Sequence, residues 1–282
     1  MKILLAGATG TVGKELLPLL KDSGYTIRTL CRNQTSRPML SKFTSDMVFA
    51  DSCKAKNIEG ICQDIDVIIS VMGGSLSLKP VSRASYFKSD FTANYNLLND
   101  AKKNNVKRFV YLSVHPEIAY QNTAYVKSHL EFEKKLSESN LSYGILRPTG
   151  LFHTFKSLSA IAKAIGVLPL IGNGKARTNP VHECDVAETL LKFIHKGHIE
   201  SMGGNAVYSR KEISDIIFNR LGKKARYIPY PAFLMKFGAL LVKPIHPRMG
   251  QLLEFMALAT CNDSIADQTG SRNFTDYHFN II

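Results

Sequence analysis

Three glycines, Gly7, Gly10 and Gly13, stand within the decapeptide AGATGTVGKE at residues 6–15, between a short apolar run (Lys2–Ala6) and a stretch with helical spacing. Few folds need glycine at those three places. At such a junction the first glycine permits a tight turn, the second lets backbone approach a pyrophosphate, and the third lets helix and strand pack closely. The helix start then offers unpaired N–H groups and a partial positive charge to phosphates. With Thr9, Thr11 and Val12 between the glycines, the segment reads as a dinucleotide-binding loop that opens a βαβ unit. A nucleotide-hydrolysing phosphate loop is excluded: that motif needs glycine at position 8 and Ser/Thr at 15, and this chain has Ala8 and Glu15.

The next 140 residues repeat the strand–helix alternation. Strands are expected at Lys2–Ala6, Thr26–Cys31, Met47–Ala50, Asp66–Val71, Phe109–Ser113 and Ser142–Arg147. Helices are expected at Lys14–Ser23, Cys53–Gln63, Tyr86–Asn104 and Thr123–Ser139. The strands are near-continuous apolar runs, as in a parallel sheet with helices on both faces. The expected fold class is therefore α/β, a Rossmann-type doubly wound parallel sheet over residues 1–150. After Pro148 the pattern loosens. Helices are expected at Leu158–Ile165, Cys184–His195, Arg210–Leu221, Phe233–Val242 and Met249–Thr260, with GVLPLIGNGK as a turn-rich loop. Residues 151–282 are expected to form a smaller, mostly helical substrate-binding part packed on the first.

Composition bounds the rest. The chain has 282 residues, 45% of them hydrophobic and 21% charged, which excludes wholesale disorder. No uncharged apolar run reaches the roughly 18–20 residues of a spanning helix, and the amino terminus does not read as a secretory signal, so a soluble, cytoplasmic protein is expected. The five cysteines include no CxxC pair, and they are expected to be reduced. Lys+Arg exceed Asp+Glu by 36 − 23 = 13. Between Lys192 and Arg248 there are eleven Lys/Arg against three acids. Such a surface attracts anions, among them nucleotide phosphates, acidic substrates and anionic lipid.

The second strand ends TLCRN, with Arg32 where an acid would bind the ribose 2′-hydroxyl of NAD. A guanidinium suits the 2′-phosphate of NADP, with Arg37 as a second cation. NADP(H) is expected in preference to NAD(H).

Four stretches carry a wider resemblance: AGATGTVG (6–13), NLLNDAKKNNVKRFVYLSV (96–114), KSHLEFEKKLSESNLSYGILRPTGLF (127–152) and NPVHECDVAETL (179–190). Together they resemble the atypical short-chain dehydrogenases/reductases of the NmrA-like, isoflavone-reductase-like and divinyl-reductase-like group. The resemblance implies that Thr9–Val12 hold the pyrophosphate and Arg32 the 2′-phosphate. It places Asp51 by the adenine and Ser70, Val71 and Met72, with Gly73, along the adenosine and the path to nicotinamide. Asp51 has an alternative as the cap of the segment that follows.

The usual site of these enzymes is a serine with Tyr-x-x-x-Lys. Ser113 and Lys127 stand at the implied serine and lysine, and the implied tyrosine position is Thr123. Tyr125 lies two residues from Lys127, on another face of the helix, and is not expected to substitute. The expected chemistry is hydride transfer from NADPH to a carbon–carbon double bond or carbonyl of a small apolar substrate. Lys127 binds ribose and manages the proton, and Ser113 orients the substrate. The alternative is a non-catalytic NADP(H)-binding sensor. His182, Glu183 and Asp185 look like the start of a helix of this group, so no metal is expected. His115 and His153 lie near strand ends that face the site. No aromatic-interleaved nucleic-acid motif is visible, so nucleic acid is not an expected partner. The apolar segment Phe233–Val242, flanked by Lys236 and Lys243, suits either a peripheral membrane contact or a lid over an apolar substrate.

Overall fold

The computed structural model describes residues 1–74, 76 and 83–279. Along the chain run β1 (Lys2–Ala6), α1 (Thr11–Asp22), β2 (Thr26–Cys31), α2 (Arg37–Leu40), β3 (Asp46–Phe49), β4 (Val67–Ser70), α3 (Ala93–Lys103), β5 (Arg108–Leu112), α4 (Ala124–Ser137) and β6 (Ser142–Pro148). Then follow α5 (Lys156–Ile165), β7 (Leu168–Ile171), β8 (Arg177–Thr178), α6 (Glu183–Lys192), β9 (Ile199–Met202), β10 (Tyr208–Ser209), α7 (Arg210–Arg220), β11 (Tyr227–Tyr230), α8 (Ala232–Val242) and α9 (Pro247–Ala259).

Seven strands form one parallel sheet in the order β3-β2-β1-β4-β5-β6-β9. From β1 the chain winds outward through β2 to β3, then crosses back to β4 and winds the other way. The carboxyl ends of β1 and β4 therefore flank a switch point, where sheets of this kind leave a crevice for a ligand. Side chains alternate between the two faces, as the strand period of two requires. Ile3, Leu5, Val67, Ile69 and Val110 pack on one face with Leu16, Leu17 and Leu20 of α1 and Val186, Ala187 and Leu190 of α6. Leu4, Ala6, Ile68, Phe109 and Tyr111 pack on the other with Leu97, Leu98 and Ala101 of α3 and Phe132 and Leu136 of α4. The doubly wound sheet expected from the sequence is thus the fold.

Three details differ from expectation. Cys53–Gln63 is not a helix: a single 3-10 turn spans Ala55–Ile58. Asp100 of α3 explains how this segment holds without one, because its carboxylate accepts the N–H groups of Gly60 (2.8 Å) and Cys62 (2.9 Å). Within the expected loop after α5, Leu168–Ile171 is a strand paired with β11. And the chain does not leave the sheet at residue 150. Helix α6 packs along α1, and β9 pairs with β6, so residues 183–202 complete the sheet and one of its helical layers.

Asp185 fastens the C-terminal tail to α6. It lies in the first turn of α6, where the helix dipole favours an acid. Its carboxylate accepts the N–H and Oγ–H of Ser271 (3.0 and 2.9 Å), the N–H of Arg272 (3.1 Å) and the Arg272 guanidinium. Burial alone would raise its pKa, but the hydrogen bonds from Arg272 and Ser271 outweigh that and hold it below the ordinary carboxylate value. An acid whose pKa is lower folded than unfolded stabilises the fold above its unfolded pKa of roughly 3.9, and the contribution fades as pH falls through the folded value. Asp185→Asn is expected to cost about 2–4 kcal/mol at neutral pH. Urea midpoints followed from pH 7 to pH 3 are expected to converge for wild type and variant. A constant gap across that range would show that the carboxylate charge is not the cause.

Candidate active site

The glycine loop is shaped by backbone contact. Gly7 has φ +89°, and a Cβ there would stand 2.9 Å from the carbonyl carbon of Val71 at the end of β4. A Cβ on Gly13 would stand 2.3 Å from the carbonyl oxygen of Gly7 and 2.8 Å from Cα of Ala8. Gly10 caps α1, and no acid occupies the first turn, so the dipole there is uncompensated. Thr9, Gly10, Thr11 and Val12 line a cavity of about 730 Å³. The free N–H groups of a helix's first turn are donors in need of acceptors. A pyrophosphate suits this cradle in size and charge.

The other cofactor candidates follow the strand ends. Arg32 is exposed just after β2, and no carboxylate pairs with it among the described residues. Arg37 is also exposed, with its guanidinium 4.9 Å from the ring centre of Phe49. Asp51 follows β3, and its Oδ1 accepts the N–H of Cys53 at 3.1 Å, closing a local turn. It caps no helix, since the 3-10 turn begins later. Val71 and Met72 line the cavity. Ser70 does not: it is fully buried, and its hydroxyl is taken by Asn94. Its place is beneath the crevice floor.

The largest correction concerns α4. Lys127 is exposed and is not among the residues that line the cavity. Thr123, the implied tyrosine position, is buried at the helix start, and its hydroxyl donates to the carbonyl of Tyr120 at 2.7 Å. The cavity is lined instead by Tyr125 and His129. Residues four apart share a helix face, whereas Lys127 is two steps from both and points elsewhere. The i, i+4 pair at this site is therefore Tyr-x-x-x-His.

Around that pair the polar groups are deeply set. His129 Nδ1 lies 2.7 Å from the Tyr111 hydroxyl, and Nε2 lies 3.4 Å from Oδ2 of Asp90, which has no solvent exposure. The His129 ring and the Phe255 ring of α9 both meet Tyr125 edge-on, with ring centres 5.1 and 4.9 Å away. Burial, and then the charge of Asp90, push the Tyr125 phenol far above its ordinary pKa, so the hydroxyl stays protonated. Ser113, just past β5, also lines the cavity. Its hydroxyl donates to Glu133, one turn beyond His129, and Glu133 is clasped by Arg147 of β6 at 3.0 and 3.1 Å. Its proton is thus engaged, while its lone pairs remain free to accept.

Beyond Ser113 the cavity turns apolar. Phe155, Leu158 and Ile161, which pack with Ile213, line it together with Met235, Leu252 and Phe255. His153 lines this part; burial, and then Lys156, lower its pKa and keep the ring neutral. His115 instead lies 3.1 Å from Ser201 Oγ and 3.2 Å from Glu117, outside the lining. The His182–Glu183–Asp185 trio has structural work: His182 accepts the N–H of Cys184, Glu183 accepts the N–H of His153, and Asp185 holds the tail.

Residues 7–196 match the family described as NAD(P)H-binding. The chain belongs to that family. The chain binds NAD(P)H, and the matched residues include the glycine loop. Among curated relatives it is 23% identical over 240 residues to photosystem II assembly factor Ycf39 of Trieres chinensis, covering 84% of this chain and 74% of that protein. It is 24% identical to the chloroplastic divinyl chlorophyllide a 8-vinyl-reductase of Arabidopsis thaliana, covering 90% of this chain and 66% of that one. Among solved structures it is similar to an NADPH-dependent quinone oxidoreductase of Escherichia coli in complex with NADPH: TM-score 0.69, 19% identity, 92% of this chain and 88% of that one. A nucleoside-diphosphate-sugar epimerase of Staphylococcus aureus gives a TM-score of 0.74 at 19% identity, over 99% of this chain and 92% of the other. At these identities the likeness to solved structures shows a shared fold.

Proposed function

We propose that this family member is an NADPH-dependent reductase of a carbon–carbon double bond or carbonyl in a small apolar substrate. The observation that carries the reading is one cavity whose lining includes the glycine cradle, Ser113, Tyr125 and His129, and a group of apolar side chains among them Leu158, Ile161, Met235 and Leu252. NADPH bound at the cradle supplies a hydride. The chain's own residues do the rest. Tyr125 donates its proton to the atom that gains charge as hydride is added, the oxygen of a carbonyl or a carbon of the double bond, and is reprotonated from solvent; burial disfavours the phenolate left behind, so the proton passes only to a strongly basic substrate atom. Ser113, its own proton engaged by Glu133, lines the cavity and positions the reacting end by contact. His129, hydrogen-bonded through Nδ1 to Tyr111, packs its ring against Tyr125 and keeps that ring in place. Lys127 takes no part in this mechanism. The apolar chamber excludes water from the reacting atoms. The names of two similar proteins, a vinyl reductase and a quinone oxidoreductase, agree with reduction of an unsaturated substrate.

The test is oxidation of NADPH by the purified chain in the presence of quinones, enones and aldehydes. Turnover of any of them supports the reading. Tight NADPH binding with no oxidation across the panel would favour the non-catalytic alternative, to which the assembly-factor relatives lend substance. Cofactor preference has its own test. Arg32→Ala is expected to weaken NADPH binding about 10–100-fold, a charge-assisted contact being worth roughly 1.5–3 kcal/mol, and NADH binding by less than about threefold. Equal losses for both nucleotides in a fluorescence titration would remove the 2′-phosphate assignment.

A further inference from the structure

Helix α8 lies over the apolar end of the cavity and leaves most of its own apolar surface outside. Met235 lines the cavity and Ala239 is buried. On the outward side stand Phe233, Phe237, Leu240 and Leu241, with Ile245 just beyond the helix; their exposures run from 59% to 74%. The four helical positions are i, i+4, i+7 and i+8, a single stripe. Exposed apolar residues scattered singly need no explanation, but a contiguous stripe of large ones marks an interaction surface.

The charge around the stripe identifies what covers it. From residue 222 to residue 250 there is no Asp or Glu. Lys223, Lys224, Arg226, Lys236 and Lys243 of that stretch are all exposed. Lys243 alone of these reaches a carboxylate in the described residues, Glu254 at 3.4 Å. Lys236 borders the stripe on the helix itself, and long lysine stems can lie along apolar surface with the ammonium in the headgroup layer. Lys223 donates to the carbonyl of Lys163 at 2.7 Å, which sets the C-terminus of α5, with its 70% exposed Ile165, beside this basic segment. No helix of the described residues is long and apolar enough to cross a membrane. A stripe of Phe and Leu with Lys236 on the helix and Lys243 at its end, within a segment free of acids and on a helix too short to span, has the physical form of a helix that lies in the plane of a bilayer.

We propose that α8 and the acid-free segment around it seat the protein on an anionic lipid bilayer, with Phe233, Phe237, Leu240 and Leu241 entering the headgroup–acyl boundary. Met235, on the inner side of the same helix, then stands between the lipid and the apolar chamber. An apolar ligand dissolved in the bilayer reaches the chamber without crossing water. The seating itself is independent of the reaction assigned above.

The test is flotation of the full-length chain with phosphatidylcholine vesicles containing about one third phosphatidylglycerol, and with phosphatidylcholine alone. Wild type is expected to float with the anionic vesicles, at least tenfold enriched over the neutral ones, and to be released by high salt, since exposed charges are screened beyond a Debye length of about 8–10 Å. Phe233→Ser/Phe237→Ser and Lys236→Glu/Lys243→Glu are each expected to reduce flotation at least tenfold while NADPH binding stays unchanged, which reports an intact fold. Absence of wild-type flotation would overturn the proposal. So would flotation indifferent to lipid charge, or a dimer in light scattering that Phe233→Ser/Phe237→Ser converts to monomer, because the stripe would then be covered by a second copy.

Discussion

Tyr125→Phe is expected to slow reduction by about 10²–10⁴-fold, the usual worth of a positioned proton donor, with NADPH binding unchanged. The substitution removes one oxygen and keeps the ring that packs against Phe255 and His129, so the site's shape survives. What is lost is a hydroxyl that burial and Asp90 keep protonated. Lys127→Met is the companion variant. Its side chain is exposed and outside the cavity, so turnover within about twofold of wild type is expected, surface substitutions away from special features being nearly neutral. The two variants together discriminate the assignments: a large loss in Lys127→Met with full activity in Tyr125→Phe would return the chemistry to lysine. Single-turnover oxidation of bound NADPH is the measurement, because it separates the chemical step from binding and product release.

The second large effect is expected at the glycine loop. Gly13→Ala should both destabilise the fold and weaken NADPH binding by more than about a hundredfold, or roughly 2.7 kcal/mol. A mid-helix glycine replaced by alanine ordinarily gains about 1 kcal/mol of helix propensity. Here the added methyl would meet the Gly7 carbonyl oxygen at 2.3 Å and Ala8 Cα at 2.8 Å. Both are backbone atoms, so no side chain can swing away, and the clash exceeds the propensity gain. Helix α1 must move off the loop. The N–H groups of its first turn then lose their aim at the phosphates, while overpacking itself costs about 1–3 kcal/mol. Gly10→Ala is the milder comparison, since a Cβ there meets only the Gly7 carbonyl oxygen, at 3.2 Å. Urea unfolding and nicotinamide fluorescence read the two consequences separately. Wild-type values in both would show that α1 does not need the close approach.

The sheet was legible in the sequence because its strands are buried on both sides, and burial on both sides leaves apolar runs such as LLA and VIIS that no other element explains. The glycine loop was legible for a related reason: each glycine answers to a backbone contact, and such contacts fix residue type. Strands β9 and β7 were not legible. Ile199–Met202 (IESM) is half polar and lies at the sheet edge, and Leu168–Ile171 contains a proline, so neither carries the pattern of a central strand. At the candidate site the residue expected from the sequence, Lys127, does not line the cavity. Lys127 matched a familiar residue type, whereas the pair that shares the cavity face is Tyr125 and His129, with histidine where lysine is usual. The i, i+4 spacing of Tyr125 and His129 was the available signal. The setting of His129 beside Tyr111 and Asp90 was not available, because Asp90 reaches it from a different element across 39 residues of chain.

The pairing of β9 with β6 has a consequence for how the chain is made. Strand β6 ends at Pro148, and its outer partner is complete only at Met202, about fifty residues later. At a synthesis rate of roughly 5–20 residues per second, that edge stands open for about 3–10 s on each nascent chain. During the same interval the inner face of α1 lacks α6, which covers it in the finished fold. An open strand beside a bare leucine face is a template for pairing with another chain. A pause in translation between residues 150 and 200 lengthens the window in which neighbouring nascent chains can join edge to edge, and prompt delivery of α6 and β9 closes it.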